Sequence, residues 1–152
     1  MSTKNFSILV AIDGSESSMK AVDYAIELAK KQNNSRLTLL NIIDIDTPKQ
    51  MSSSIITAPT YGLEEYELHK KAVLEWLDAI KSKCEKEGIQ TEIKVIGEPS
   101  PVPDSIIIYA ENEIVDLIVV GTRGRSGFKK LLLGSVASKV VTYAHCPVLV
   151  VK

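Results

Sequence analysis

Short apolar runs alternate with segments of helical periodicity along this chain, and that alternation limits the architecture more than any other feature. Phe6–Ile12, Arg36–Ile43, Leu117–Val120 and Val148–Val151 are short and apolar, as buried strands are. Ile89–Gly97 instead alternates, with Ile89, Thr91, Ile93 and Val95 set against Gln90, Glu92 and Lys94. A strand with one wetter face belongs at a sheet edge. Between these runs the spacing predicts helices. One covers Ser17–Lys31, with Met19, Val22, Ala25, Ile26 and Ala29 on its buried face. A second covers Gly62–Lys86, with Leu63, Tyr66, Val73, Leu74, Leu77 and Ile80 on one side and Gly88 as its stop. Asp104 reads as the N-cap of a third, running through Asn112. A fourth starts at Ser135 and is marked by Val136, Val140, Val141 and Ala144. Strands that alternate with helices form a parallel sheet covered on both faces. Right-handed crossovers then leave few topologies, although pattern alone does not order the strands.

The 152 residues suit one domain spanning 1–152 with a substantial core, and no internal repeat divides them. Asp44–Tyr61, with Pro48, Pro59 and Ser52-Ser53-Ser54, is the one long irregular stretch. Eighteen basic and 19 acidic residues give a net charge of -1, which supports neither a nucleic-acid nor a membrane-surface role. Cys84 and Cys146 lie far apart with no metal spacing, and read as free thiols in a reducing compartment. The polar N-terminus lacks a signal-peptide core, and no apolar run approaches the ~20 residues of a membrane span. The expected location is the cytoplasm. His69 and His145 have no evident nucleophile beside them, and Trp76 reads as packing or interface.

The stretch Gly121–Ser135 carries the chemistry. It lies between a predicted strand and a predicted helix, with glycines at 121, 124 and 127 that permit positive φ and close backbone approach. Gly134-Ser135 falls at the helix start, where unpaired N–H groups and the dipole favour an anion. Ser126 and Ser135 add hydroxyls, and Arg123, Arg125, Lys129 and Lys130 add positive charge. A polyphosphate loop is one reading. Ordinary turn glycines with Ser135 as a simple N-cap is the other. The stretch is neither a Walker A loop nor a Gly-x-Gly-x-x-Gly fingerprint. Asp13 is equally double. Taken alone it reads first as an N-cap or Asx-turn residue, and otherwise as a carboxylate that accepts from sugar hydroxyls.

Gly121, Gly124, Gly134 and Ser135, spaced Gly-x2-Gly-x9-Gly-Ser, resemble the nucleotide motif of the universal stress protein family. The blocks Val10–Ser15, Leu39–Asp44, Asp116–Gly121 and Cys146–Val151 resemble that family's strands in the same order. The resemblance implies an open five-stranded parallel α/β sheet of order 3-2-1-4-5, of the adenine nucleotide alpha hydrolase-like type. Strands 1 and 4 would then flank the topological switch point, bringing Asp13 and Gly121 to one crevice. It further implies ATP, or ADP or AMP, as ligand, together with magnesium or manganese held mainly by the phosphates. Ala11 would border the base, Asp13 the nucleoside and Ile42 the adenine. Gly121, Arg123, Gly124, Ser126, Gly134, Ser135, Val136 and Ala137 would meet ribose and phosphates. Asn41 stands where relatives often carry histidine, a change expected to alter local packing alone. The implied function is a stress-response regulator, homodimeric through Val148–Val151, with at most slow ATP turnover. The rivals are an enzyme of the related nucleotide superfamily, a nucleotide-independent interaction protein and a flavodoxin-like carrier. The enzyme reading lacks Ser-Gly-Gly-x-Asp-Ser and His-x-Gly-His, and the carrier reading lacks aromatics to stack on a flavin.

Overall fold

The computed structural model describes residues 4–45, 59–122 and 133–152. Its elements run β1 (Phe6–Ala11), α1 (Glu16–Lys31), β2 (Ser35–Asp44), α2 (Pro59–Lys86), β3 (Gln90–Glu98), α3 (Val102–Asn112), β4 (Leu117–Gly121), α4 (Ser135–Tyr143) and β5 (Val148–Val151). The strands form one sheet in the order β3-β2-β1-β4-β5, and every neighbouring pair is parallel. β1 sits at the centre, with Ala11 opposite Leu40 of β2 and Val10 opposite Val119 of β4.

The continuous apolar character of the central strands follows from burial on both faces. Ile8, Val10, Leu37, Leu39 and Val119 point to one side, where they meet α1 and α2 through Val22, Ile26, Val73 and Leu77. Leu9, Leu40, Ile118 and Val120 point to the other, against α3 and α4 through Ile106, Ala110, Ala137 and Val140. β3 lies at an edge, which accounts for its alternating pattern.

Two helix exits use the same hydrogen-bonding device with different residues. After α2, Gly88 adopts φ 80°, donating to Glu85 O while Ile89 donates to Cys84 O. After α3, Ile114 adopts φ 52°, donating to Glu111 O while Val115 donates to Ala110 O. A β-branched residue in the left-handed region is strained, and Ile114 is held there by the buried Val115 that follows it.

Several boundaries differ from the sequence reading. α2 begins at Pro59 instead of Gly62, since proline suits a helix's first turn. Leu63 and Leu74 are exposed; the buried stripe is Val73, Leu77, Ile80 and Cys84, and Leu74 falls one position off it. Val141 of α4 is exposed for the same reason, the inward face being Ala137 and Val140. Met19 only borders the core; Ser18 and Ala21 occupy the inner face of α1. α3 starts two residues before Asp104, with Pro101 as N-cap, so Asp104 sits inside the first turn as a charge facing the dipole. β2 runs one residue further at each end than the sequence pattern gives, from Ser35 through Asp44.

Candidate functional site

β1 and β4 are neighbours whose following helices lie on opposite faces, so a crevice opens beyond their carboxyl ends. A cleft open to solvent occupies this position. Ala11, Ile12 and Asp13 line it from the end of β1, Leu40 and Ile42 from β2, and Val120 and Gly121 from β4. Ser18 of α1, Val102 and Ile106 of α3, and Val136 and Ala137 of α4 complete the lining. Among the described residues, Asp13 is the one ionisable group in that lining, and the rest is largely aliphatic.

The start of α1 is closed by its own chain. Gly14 turns at φ 86°, and Asp13 Oδ1 accepts from Ser15 N at 2.8 Å, an Asx-turn. Ser15 is the N-cap, its Oγ accepting from Ser18 N at 3.1 Å, and Glu16 adds an acid to the first turn. Trp76 of α2 packs beneath this turn, 3.9 Å from where a Cβ on Gly14 would lie. The turn is also held from β2. Ile12 N donates to Leu40 O at 2.8 Å, and the buried Asn41 donates from Nδ2 to Ile12 O at 2.7 Å. Asn41 therefore ties the end of β1 to β2 through its side chain.

The start of α4 is built differently. Gly134 is its N-cap and offers no side chain, and the first turn holds no acid. Gly134 N donates to Thr122 O at 2.7 Å, which ties the helix start to the end of β4. The Ser135 hydroxyl and the N–H groups of Ser135, Val136 and Ala137 bond to no partner among the described residues. Such a start presents donors and a partial positive charge to the cleft.

Gly121 meets the expectation of close approach by an unexpected route. Its φ is not positive; a Cβ there would come within 2.6 Å of the Ser17 carbonyl carbon, so glycine lets α1 lie directly on β4. The tertiary structure thus brings Ala11, Asp13, Ile42, Gly121, Val136 and Ala137 to one cleft, with Gly134 and Ser135 at the helix start beside it. Arg123, Gly124 and Ser126 lie outside the described residues, as do Arg125, Gly127, Lys129 and Lys130. Ile12, Ser18, Leu40, Val102, Ile106 and Val120 also line the cleft and carry no signal in the sequence beyond being apolar or small. Val102 and Ile106 belong to the α3 start, and only the sheet order shows that it reaches this crevice.

Titration behaviour elsewhere is structural. Burial pushes both free thiols, Cys84 and Cys146, upward, which leaves them poor nucleophiles. Burial likewise pushes Tyr109 up to about 12. His145 lies exposed just past α4, its Nε2 3.4 Å from Glu111. No helix among the described residues is long and apolar enough to cross a membrane, and no cluster of three or more His, Cys, Asp or Glu among them could hold a metal ion.

An open parallel sheet of order 3-2-1-4-5, covered by two helices on each face, is an α/β fold of the adenine nucleotide alpha hydrolase-like type. The profile of the Universal stress protein family matches residues 5–152. Universal stress protein YxiE of Bacillus subtilis is 40% identical over 151 residues, covering 95% of this chain and 97% of its own. Universal stress protein MJ0531 of Methanocaldococcus jannaschii is 35% identical over 148 residues, covering 95% and 81%. Among solved structures, the hypothetical protein MJ0577 superposes with a TM-score of 0.79 at 28% identity, covering 96% of this chain and 94% of that one. The chain belongs to the universal stress protein family.

Proposed function

We propose that the crevice binds an adenine nucleotide, with ATP the first candidate and ADP and AMP the others, and that the protein acts as a nucleotide-responsive regulator. The observation that carries this reading is the chemical asymmetry of the cleft. One wall offers the Asp13 carboxylate, with Oδ1 engaged by Ser15 N and its second oxygen facing no partner among the described residues. The other wall offers the uncapped start of α4. Between them the surface is aliphatic: Ala11, Leu40, Ile42, Val102 and Ile106. A ligand that satisfies all three parts has hydroxyl donors, an anionic group and a flat apolar body, which describes a nucleotide. Three structures that share the fold, at 20–23% identity, were solved with such ligands: a universal stress protein with cAMP, one from Archaeoglobus fulgidus with dAMP and one from Arabidopsis thaliana with AMP. At that identity they support the fold alone, and the weight rests on the cleft.

Asp13 is a single carboxylate, so a divalent cation arriving with ATP would be held chiefly by the phosphates, with Asp13 as the protein's one anionic group in the described lining. Turnover is at most slow in this reading, since the described lining supplies no arginine and no base beyond a carboxylate already bonded to Ser15 N. β5 forms the sheet edge opposite β3, and its four half-buried residues suit edge pairing with a second copy. A homodimeric stress-response regulator in the cytoplasm is the reading that joins these features.

The test is to denature freshly purified protein and identify released small molecules by chromatography and mass spectrometry, followed by calorimetric titration with Mg-ATP. Bound or titratable ATP or ADP, lost in a Gly124→Val/Gly134→Val variant that still folds, supports the proposal. Absence of binding at millimolar Mg-ATP sinks it.

A further inference from the structure

Resting on the nucleotide reading of the crevice, we infer that Asn41 is a positioning residue for the ligand: its side chain sets the Ile12-Asp13 peptide and thereby aims the Asp13 carboxylate at the sugar hydroxyls. β1 ends its regular pairing at Ala11, opposite Leu40, and one more main-chain bond, Ile12 N–H to Leu40 O at 2.8 Å, extends the ladder. The next bond comes from a side chain. Asn41 Nδ2 donates to Ile12 O at 2.7 Å across a separation of 29 residues, and both Ile12 and Asn41 are buried. Both main-chain polar groups of Ile12 are thus held by β2, while the chain one residue later is free to leave the sheet.

That departure is abrupt. Asp13 follows Ile12 directly, Gly14 turns at φ 86°, and Asp13 Oδ1 is taken by Ser15 N. With Oδ1 fixed from the α1 side and the Ile12 carbonyl fixed from the β2 side, the carboxylate plane has little freedom. The second carboxylate oxygen is left for the cleft that Asp13 lines. A buried amide is the right group for this work. It reaches a carbonyl that would otherwise be buried and unpaired, and it adds no charge beside Asp13. Leucine, of similar shape, would leave the Ile12 carbonyl without a donor. Histidine can donate a ring N–H to the same atom.

The measurement is a set of calorimetric titrations on the full chain with Mg-ATP and with Mg-2′,3′-dideoxy-ATP, which lacks both sugar hydroxyls. Thermal melts run alongside to establish folding. Asn41→Leu is expected to weaken ATP about tenfold while changing dideoxy-ATP less than about twofold, because the lost interaction runs through the hydroxyls. Asn41→His is expected to return ATP affinity to within about threefold of wild type. In an Asp13→Ala background, Asn41→Leu is expected to cost ATP binding less than about twofold, since a residue that acts through another has nothing left to act on. Asn41→Ser carries the same comparison should Asn41→Leu not fold. Equal weakening of both ligands, or a full tenfold loss persisting without Asp13, overturns the inference while leaving nucleotide binding intact. If the wild-type chain binds neither ligand, the nucleotide reading falls, and this inference with it.

Discussion

Of the three helices that begin at the crevice, α1 and α4 begin in opposite ways. α1 spends its first turn on its own chain: Ser15 caps it, Asp13 closes an Asx-turn, and Glu16 answers the dipole. α4 has glycine for a cap, no acid in its first turn, and a hydroxyl at Ser135 with no partner among the described residues. The α1 start is complete without a ligand and contributes a carboxylate. The α4 start leaves its donors open toward the cleft, as an anion site requires. In the proposed nucleotide reading, the difference gives the cleft a polarity, with sugar hydroxyls toward α1 and phosphates toward α4. It also separates what holds the fold from what holds the ligand.

The largest effect is expected where the two starts are held together. Gly121→Val would force the side chain into the Ser17 backbone and lift α1 off β4. A loss of about 3 kcal/mol in chemical denaturation is expected, with nucleotide affinity lost as well. A variant that melts like wild type would show that Ser17 yields easily and that the contact matters little.

Next comes Ser135→Asp, which gives α4 the acid it lacks. The two readouts should move in opposite directions. The unliganded protein is expected to gain up to about 1 kcal/mol in a melt, while ATP affinity falls about tenfold or more in calorimetry, roughly 1.4 kcal/mol. Unchanged affinity would place the phosphates elsewhere. Ser15→Ala makes the complementary test at α1. It should cost about 1 kcal/mol of stability through the lost cap, yet leave ATP affinity within about threefold.

The smallest effect on the ligand is expected at the far end of the sheet. There Asp116 Oδ2 accepts from Ser7 N at 2.9 Å, Oδ1 accepts from Lys4 Nζ at 3.0 Å, and Asp116 N donates to Ser7 O. The bond from Ser7 N–H, with help from Lys4, holds this carboxyl below its usual range. A lowered folded value means that the carboxylate stabilises the protein above the unfolded pKa of about 3.9, and that this contribution fades as pH falls through the folded value. Asp116→Asn should therefore cost about 1 kcal/mol at neutral pH. The gap to wild type should shrink below about pH 4 in pH-dependent denaturation, and ATP titration should be unchanged throughout. A pH-independent gap would remove the ionised carboxylate from the account.

The α4 start was legible in the sequence because Gly134-Ser135 precedes a clear helical pattern. Asp13 was legible as a turn residue, and the structure shows it as both Asx-turn and cleft lining. Asn41 was not legible. A polar residue in an apolar strand says only that a partner exists, and here the partner is a carbonyl 29 residues away. Gly121 was legible as a close-approach glycine, but its partner was not: its missing side chain makes room for Ser17, which no local pattern reveals. The long α2 misled at Leu63 and Leu74, which were read as core and are exposed, because apolar periodicity records a face without saying whether anything covers it.

What this sequence determined by itself is the set of elements and their alternation, because strand and helix leave different periods in a chain buried on one or both faces. Strand order, the meeting of three helix starts at one cleft and the lock of Asn41 on Ile12 were decided only in three dimensions. Each depends on contacts between segments far apart in sequence. Such contacts are settled by which surfaces can be buried together, and neighbouring residues carry no record of them.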